Sequence, residues 1–483
     1  MSAYLDNRSF LRWGWRQLTS MRTALILLLL LGVAAIPGSL FPQRTQNPMQ
    51  VRQYFIDNPE LAPWLDRLKL FEVFSSPWFS AIYLLLFISL IGCVLPRSID
   101  HGKNIFAKPP LTPKFLDRME HFTEIKKVDL DLAEAYLRKK HYRIRRDGNS
   151  ISAEKGYLRE SGNLLFHLSL VLILIAVGVG SLFGMRGDSI INVGERFVNT
   201  PTSYDSIGFG KYQSERTLKP FSITATKFLA TYDPATNAPI DYELTANVAY
   251  PYGSPERIEI VKVNQPLSFG STNVYLQANG YSPTVIVRDK SGKVVFDGPT
   301  TFLPQDGNLT SIGSIKVPDM SPQIGFVSSF LPTADRDEIR GGFSSYPEVL
   351  DPRLLFAVWK GDLGLNTGVP QSVYRIDTSK MERIGLKALV LNETYDFGEG
   401  SITFTGWKSW VNLQVVDDPG KSFALLGAIL AILGLLTSLF TRQRRVWVKQ
   451  VGRKTQIAGL AKNGIPGLAE EVDQFVKGVS NDR

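Results

Sequence analysis

His167 is the only strongly ionisable side chain in the four long apolar stretches of this chain. It lies in Gly162-Asn163-Leu164-Leu165-Phe166-His167-Leu168-Ser169-Leu170-Val171-Leu172, and the other three stretches hold no Asp, Glu, Lys, Arg or His. An imidazole in hydrocarbon is costly unless it has a partner, a proton pathway or a metal. A second reading of His167 is a hydrogen bond to a neighbouring span, to Ser169 or to a backbone carbonyl, which would aid helix association modestly.

The remaining candidates for chemistry are few. His101, His121 and His141 recur at spacings of twenty, with no carboxylate or cysteine cluster that would make a metal site. Each reads as a surface or turn residue. Cys93 is the only cysteine, which excludes a disulfide framework, a Cys-x-x-Cys redox centre and a Cys-x-x-Cys-His haem attachment site. It reads as a small packing residue near the end of the second stretch. No phosphate-binding Walker loop, dinucleotide glycine fingerprint, His-Glu-x-x-His or Gly-x-Ser-x-Gly elbow occurs. The segment 185–421 has neither histidine nor cysteine, so no zinc or covalently held haem is expected inside it.

The elements that must position His167 are set by hydropathy. Residues 23–41, 78–95, 163–184 and 422–440 are each long enough to cross about 30 Å of hydrocarbon as a helix. The first offers no small-x-small cleavage site in Ile36-Pro37-Gly38-Ser39-Leu40-Phe41-Pro42-Gln43 and reads as a retained span. Lys and Arg near span ends set the orientation. Arg8, Arg12, Arg16 and Arg22 lie in the 1–22 segment, Lys126, Lys127, Arg138, Lys139, Lys140, Arg143, Arg145 and Arg146 in the 96–162 loop, and Arg442, Arg444, Arg445 and Lys449 in the 441–483 tail. In 42–77, Arg44, Arg52, Arg67 and Lys69 are balanced by Asp57, Glu60, Asp66 and Glu72. Both termini and 96–162 are therefore expected on the cytoplasmic side, with 42–77 and 185–421 opposite. The net charge of +9 follows from this asymmetry and needs no nucleic acid. His167 would then lie within about 10 Å of the cytoplasmic end of its helix.

Trp64, Leu65, Leu68, Leu70, Phe71, Val73 and Phe74 suggest that 42–77 is partly helical and interfacial, and Trp13 and Trp15 suggest an anchor at the first span. The 96–162 loop reads as a small α/β unit. It has a helix from Leu130 to Tyr142 capped by Asp131, then a hairpin around Asp147-Gly148-Asn149. Alternating stretches at 221–226, 257–263, 284–288, 293–296 and 401–405 make 185–421 mostly β, sandwich-like or an open barrel. The fold class is thus four transmembrane α-helices with a large β domain between the third and fourth.

These pieces, taken in order, resemble the ResB-like (CcsB) membrane proteins of system II cytochrome c maturation. Gly38 to Gln43 resembles the family's Gly-x-x-x-Pro-Gln signature. Phe71 to Phe79 resembles the approach to the second span, and Cys93-Val94-Leu95-Pro96-Arg97 its exit. Glu154 to His167 resembles the approach to the third span and its family histidine. Val263 to Leu267, Val274 to Tyr281 and Gln414 to Gly420 are similar to blocks of the β domain. The resemblance implies a subunit that works with a multi-spanning partner, CcsA, to carry haem b across the membrane to apocytochromes c. It implies that His167 is an axial haem ligand, with a second ligand and most of the attachment chemistry in the partner, so that this chain is not an enzyme by itself. A membrane-anchored scaffold or apocytochrome chaperone that never binds haem is the competing reading. A bacterial plasma membrane or a thylakoid would house the protein. The absence of a transit-like leader leans towards a bacterium, and the motifs look cyanobacterial.

Overall fold

The computed structural model describes residues 7–44, 48–105, 107–119, 121–337, 341–367, 372–461 and 467–480. The side chains of Arg8 and Arg52, used above in weighing charge, lie outside the described set. The chain divides into two units, residues 1–178 with 420–483, and residues 179–419.

Nine α-helices are described along the chain, five of them before residue 105. Helix α1 (Asn7–Leu18) exposes Phe10, Leu11, Trp13 and Trp15. Ser20 caps α2 (Met21–Leu40) by accepting from Thr23 N. Two short helices, α3 (Pro48–Asp57) and α4 (Ala62–Arg67), fold over a small core of Val51, Ala62 and Phe71. Ser76 caps α5 (Pro77–Asn104), where Pro77 sits in the first turn and loses no intrahelical bond. α6 (Leu130–Lys139), α7 (Leu158–Phe183), α8 (Lys421–Phe440) and α9 (Leu468–Ser480) follow. Four of these, α2, α5, α7 and α8, are long and apolar enough to cross a membrane. Their outward residues, among them Leu25, Leu29, Leu84, Ile175, Leu425 and Leu433, are exposed, as lipid-facing residues are.

α5 does not stop with its apolar run. It continues through Pro96 to Asn104, carrying Arg97, His101 and Lys103 beyond it. α7 likewise starts before its apolar run, at Leu158. Glycines bring α7 and α8 together. A Cβ on Gly434 would lie 2.6 Å from Phe166 N, and one on Gly162 would lie 2.8 Å from Gly434 O. Small residues of this kind let spans pack backbone to backbone where no hydrophobic force separates lipid from protein.

The loop between α5 and α7 shares one five-stranded antiparallel sheet with the C-terminal segment. The order is His121–Lys126, Lys454–Ala461, Arg444–Val451, Ser150–Lys155, Arg143–Asp147. Helices α6 and α9 bury Leu137, Val472 and Phe475 against Ile151, Val446, Val448 and Ile457. Leu116 and Met119 cover Trp447 and Ala458. The cap of α6 is Asp129, whose carboxylate accepts from Asp131 N at 2.9 Å. Asp131, the expected cap, lies two places too late and forms an ion pair with Arg146 instead.

The second unit is a β domain of stacked sheets that do not close into a barrel. Two 18-residue strands, Thr272–Asp289 and Gly400–Asp417, pair along their whole length at the centre of a seven-stranded sheet. One half of this ribbon packs Val274, Leu276, Val411, Leu413 and Val415 against a four-stranded sheet carrying Phe221, Ile223, Leu244 and Val248. The other half packs Val285, Val287, Ile402 and Phe404 against a five-stranded sheet carrying Ile315, Phe326 and Phe356. Register shifts at Leu276/Ala278 and Thr284/Val285 allow one ribbon to serve both cores. Each bulge moves the in–out alternation of its strand by one residue. The hairpin expected at 284–296 is present, with its turn fixed by Asp289, whose carboxylate accepts from Ser291 N and Lys293 N.

Candidate functional site

His167 lies in the third turn of α7. Its Nδ1–H donates to Asn163 O, one turn earlier in the same helix, at 2.7 Å. A carbonyl only accepts, so Nδ1 carries a proton, and in the neutral ring the lone pair belongs to Nε2. No described residue bonds that Nε2. Ser169 is occupied elsewhere, its Oγ donating to Phe166 O at 2.7 Å. The bond made by His167 therefore fixes its tautomer and does not tie α7 to another span. The Phe166 ring stands edge-on to the imidazole, 5.3 Å between centroids.

The direction of the ring follows from helix geometry. Residues seven apart complete nearly two turns and share a stripe, so Glu160, His167 and Leu174 lie in line. Both ends of that line meet α5, Glu160 through an ion pair with Arg97 and Leu174 O by accepting from Tyr83 Oη at 3.1 Å. Tyr83 and Arg97 are fourteen apart, so the midpoint on α5 is Leu90. By its place on this stripe His167 lies on the side of α7 nearer the groove with α5, while Gly162, Ser169 and Ile173 form the stripe against α8.

A neutral imidazole with a fixed tautomer and an unused Nε2 suits one axial position on a haem iron. Among the described residues no group of three or more His, Cys, Asp or Glu could hold a bare metal ion. The donor set fits a metal that brings its own equatorial ligands, and it fits one side of it.

The N-terminal end of the same groove opens into a cavity of about 640 Å³ lined by Arg97, His101, Arg143, Glu154, Tyr157 and Arg445, among others. Glu154, 5% exposed, accepts from Arg445 Nε and Nη2 at 3.1 and 3.0 Å and from Gln443 Nε2 at 2.8 Å. The Arg143 guanidinium stacks 3.6 Å from the Tyr157 ring centroid and donates to Ile105 O. His101 Nε2 shares a hydrogen bond with Ser161 Oγ at 2.9 Å.

His101, expected at the surface, therefore lines a cavity, because α5 outlasts its apolar run. His141 is the exposed residue after α6, at φ 61, and His121 begins a strand. Cys93 Sγ donates to Thr19 O at 2.8 Å, a packing role. The Gly-x-x-x-Pro-Gln stretch is a tie. Gln43 is buried and bonds Phe41 O, Leu70 O and Val73 N, and a Cβ on Gly38 would strike the Phe74 ring at 2.7 Å. In the β domain Gln414 links neighbouring strands through Asp188, Arg186 and Gln277. That the cavity arginines converge had no local signal in the sequence, since Arg445 reaches Glu154 from nearly three hundred residues away.

The ResB-like family profile matches residues 21–473. The chain belongs to the ResB-like family. Its relatives include a cytochrome c biogenesis protein CcsB of Picosynechococcus sp., 22% identical over 97% of this chain and 92% of the relative. Another CcsB, from Prochlorococcus marinus, is 24% identical over 96% and 98% of the two chains. A cytochrome c biogenesis protein Ccs1 of Pyropia yezoensis is 22% identical over 98% and 97%. Membership in the ResB-like family, with four apolar helices and relatives so named, gives this membrane protein a role in cytochrome c biogenesis.

Proposed function

We propose that this chain is the membrane subunit that passes haem across the bilayer to the place where it is joined to apocytochrome c. His167 supplies one axial nitrogen, and a CcsA-type multi-spanning partner supplies the other. The observation that carries this reading is the Nδ1–H bond to Asn163 O, which engages Nδ1 within the helix and leaves Nε2 without a partner among the described residues. Haem, once bound, brings the vinyl groups to which the apocytochrome thiols add. This chain contributes no thiol to that step, because its one cysteine is held against Thr19. The attachment chemistry lies mainly with the partner, and the β domain positions the apocytochrome or braces the partner.

Basic residues near the ends of α2, α5 and α8 support a cytoplasmic location for the termini and the five-stranded sheet. The β domain then faces the lumen of a cyanobacterial thylakoid or the periplasm behind a bacterial plasma membrane. Tags on both termini are expected to resist protease added from the β-domain side.

The deciding experiment purifies the full chain with and without its partner and records the haem absorption spectrum. His167→Ala is expected to lose bound haem while still accumulating and still co-purifying with the partner. Unchanged haem content in that variant would sink the ligand reading and favour a scaffold that holds apocytochrome without touching haem.

A further inference from the structure

The cavity at the mouth of the α5–α7 groove has an acceptor deficit. Its walls carry three guanidinium groups, Arg97, Arg143 and Arg445, against two carboxylates, Glu154 and Glu160. Each guanidinium has five N–H donors. Both carboxylates are already engaged by these arginines, Glu154 by Arg445 and Arg143 and Glu160 by Arg97. Arg143 Nε remains buried with no acceptor at all. A buried donor without a partner in a cavity wall calls for an acceptor from outside the chain. Planar guanidinium forks suit a carboxylate or a phosphate. Ile105, Leu460 and Ala461 line the same cavity, so its lining suits an amphiphile with an acidic edge.

Position narrows the choice. Glu160, paired with Arg97 at the cavity, lies on the helical stripe of His167 and about 10 Å from it along the axis. That spacing is of the order of the reach from a porphyrin's iron to its carboxylates. We propose that Arg97 and Arg143 receive the carboxylate edge of the porphyrin whose iron meets His167. This rests on the haem reading above and deepens it. The groove would hold one molecule at two points, an anionic edge at the mouth and an iron within. The mouth would discriminate against porphyrins without free carboxylates. The other source of the same chemistry is the acidic headgroup of a phospholipid.

The test titrates the purified full chain with three probes: ferric haem, its dimethyl ester and metal-free protoporphyrin. Arg97→Gln is the variant of choice, because this side chain is 53% exposed and is not needed to neutralise buried Glu154. It is expected to weaken haem and metal-free protoporphyrin by about tenfold, the scale of one charge-assisted hydrogen bond, and to leave the dimethyl ester unchanged. The spectrum of bound haem should not move. Equal loss for haem and ester, or no loss for either, would overturn the proposal. So would phosphatidylglycerol vesicles that displace haem from the unsubstituted chain but not from Arg97→Gln, which would assign the mouth to lipid. Unmodified protein that binds ester as tightly as acid would overturn it without any variant. Metal-free protoporphyrin has no iron for His167, so its arginine dependence stands or falls apart from the ligand reading, which His167→Ala tests on its own.

Discussion

At Gln43 one amide accepts from Val73 N at 3.0 Å and donates to Phe41 O at 3.0 Å and to Leu70 O at 3.1 Å. Gln43→Ala would strand a buried N–H and two carbonyls. It should cost about 1–3 kcal/mol, read as a lower unfolding temperature of the detergent-solubilised chain. The signature to which Gln43 belongs was legible as a motif, but its role was not, because three of its partners are backbone groups with no sequence identity. Glu399 gives a residue-scale prediction of the opposite kind. Hydrogen bonds from Lys290 and Lys360 hold its carboxyl down at about 2. A depressed carboxylate contributes stability above the unfolded value and loses it as pH falls through the folded value. The contribution should therefore fade between the ordinary carboxyl value of 4.5 and about 2. Glu399→Gln should flatten the melting temperature of the β domain across that window, and an unaltered slope would remove the assignment. His167 shows how far one residue could be read. Its isolation among apolar neighbours marked it, yet its tautomer and its direction needed the helix around it.

Helices α7 and α8 meet through Gly162, Gly427 and Gly434, where a side chain has no room. Gly434→Leu would push against Phe166 N, one residue from His167, and the two helices must separate. The expected result is weaker haem retention together with a lower unfolding temperature, whereas Gly32→Leu on α2, which meets nothing within 4 Å, should be silent. Spans were legible in the sequence because a long apolar run is a local signal that lipid imposes. Their ends were not. Pro96 reads as a stop, but a proline costs one backbone bond and a local clash, and α5 absorbs both and runs eight residues further, to Asn104. That extension carries Arg97 and His101 to the cavity. Strands in the β domain were legible by alternation, but the bulges that let one ribbon serve two cores were not, since they depend on which residue lies opposite.

The chain as a whole closes on itself through the five-stranded sheet, whose two inner C-terminal strands separate the two outer groups from the loop. Local pattern cannot reveal such an interposition, because His121–Lys126 and Ser150–Lys155 never pair with each other. Deleting residues 442–483 should leave Ile151 and Ala153 uncovered. Cleavage within 121–155 by added protease should then rise at least about tenfold, because local opening no longer works against a shared core. Unchanged resistance would mean that the loop folds alone. The same interposition sets a clock on how the protein is made. Synthesis at about 5–20 residues per second leaves an interval on the order of tens of seconds between Lys155 and Arg444 leaving the ribosome. Throughout it the early strands wait with open edges for partners that have not been translated. A truncated transcript or an abandoned chain never supplies them. The late strands therefore decide when those edges are covered, since Arg444–Val451 and Lys454–Ala461 are what lies between the early ones.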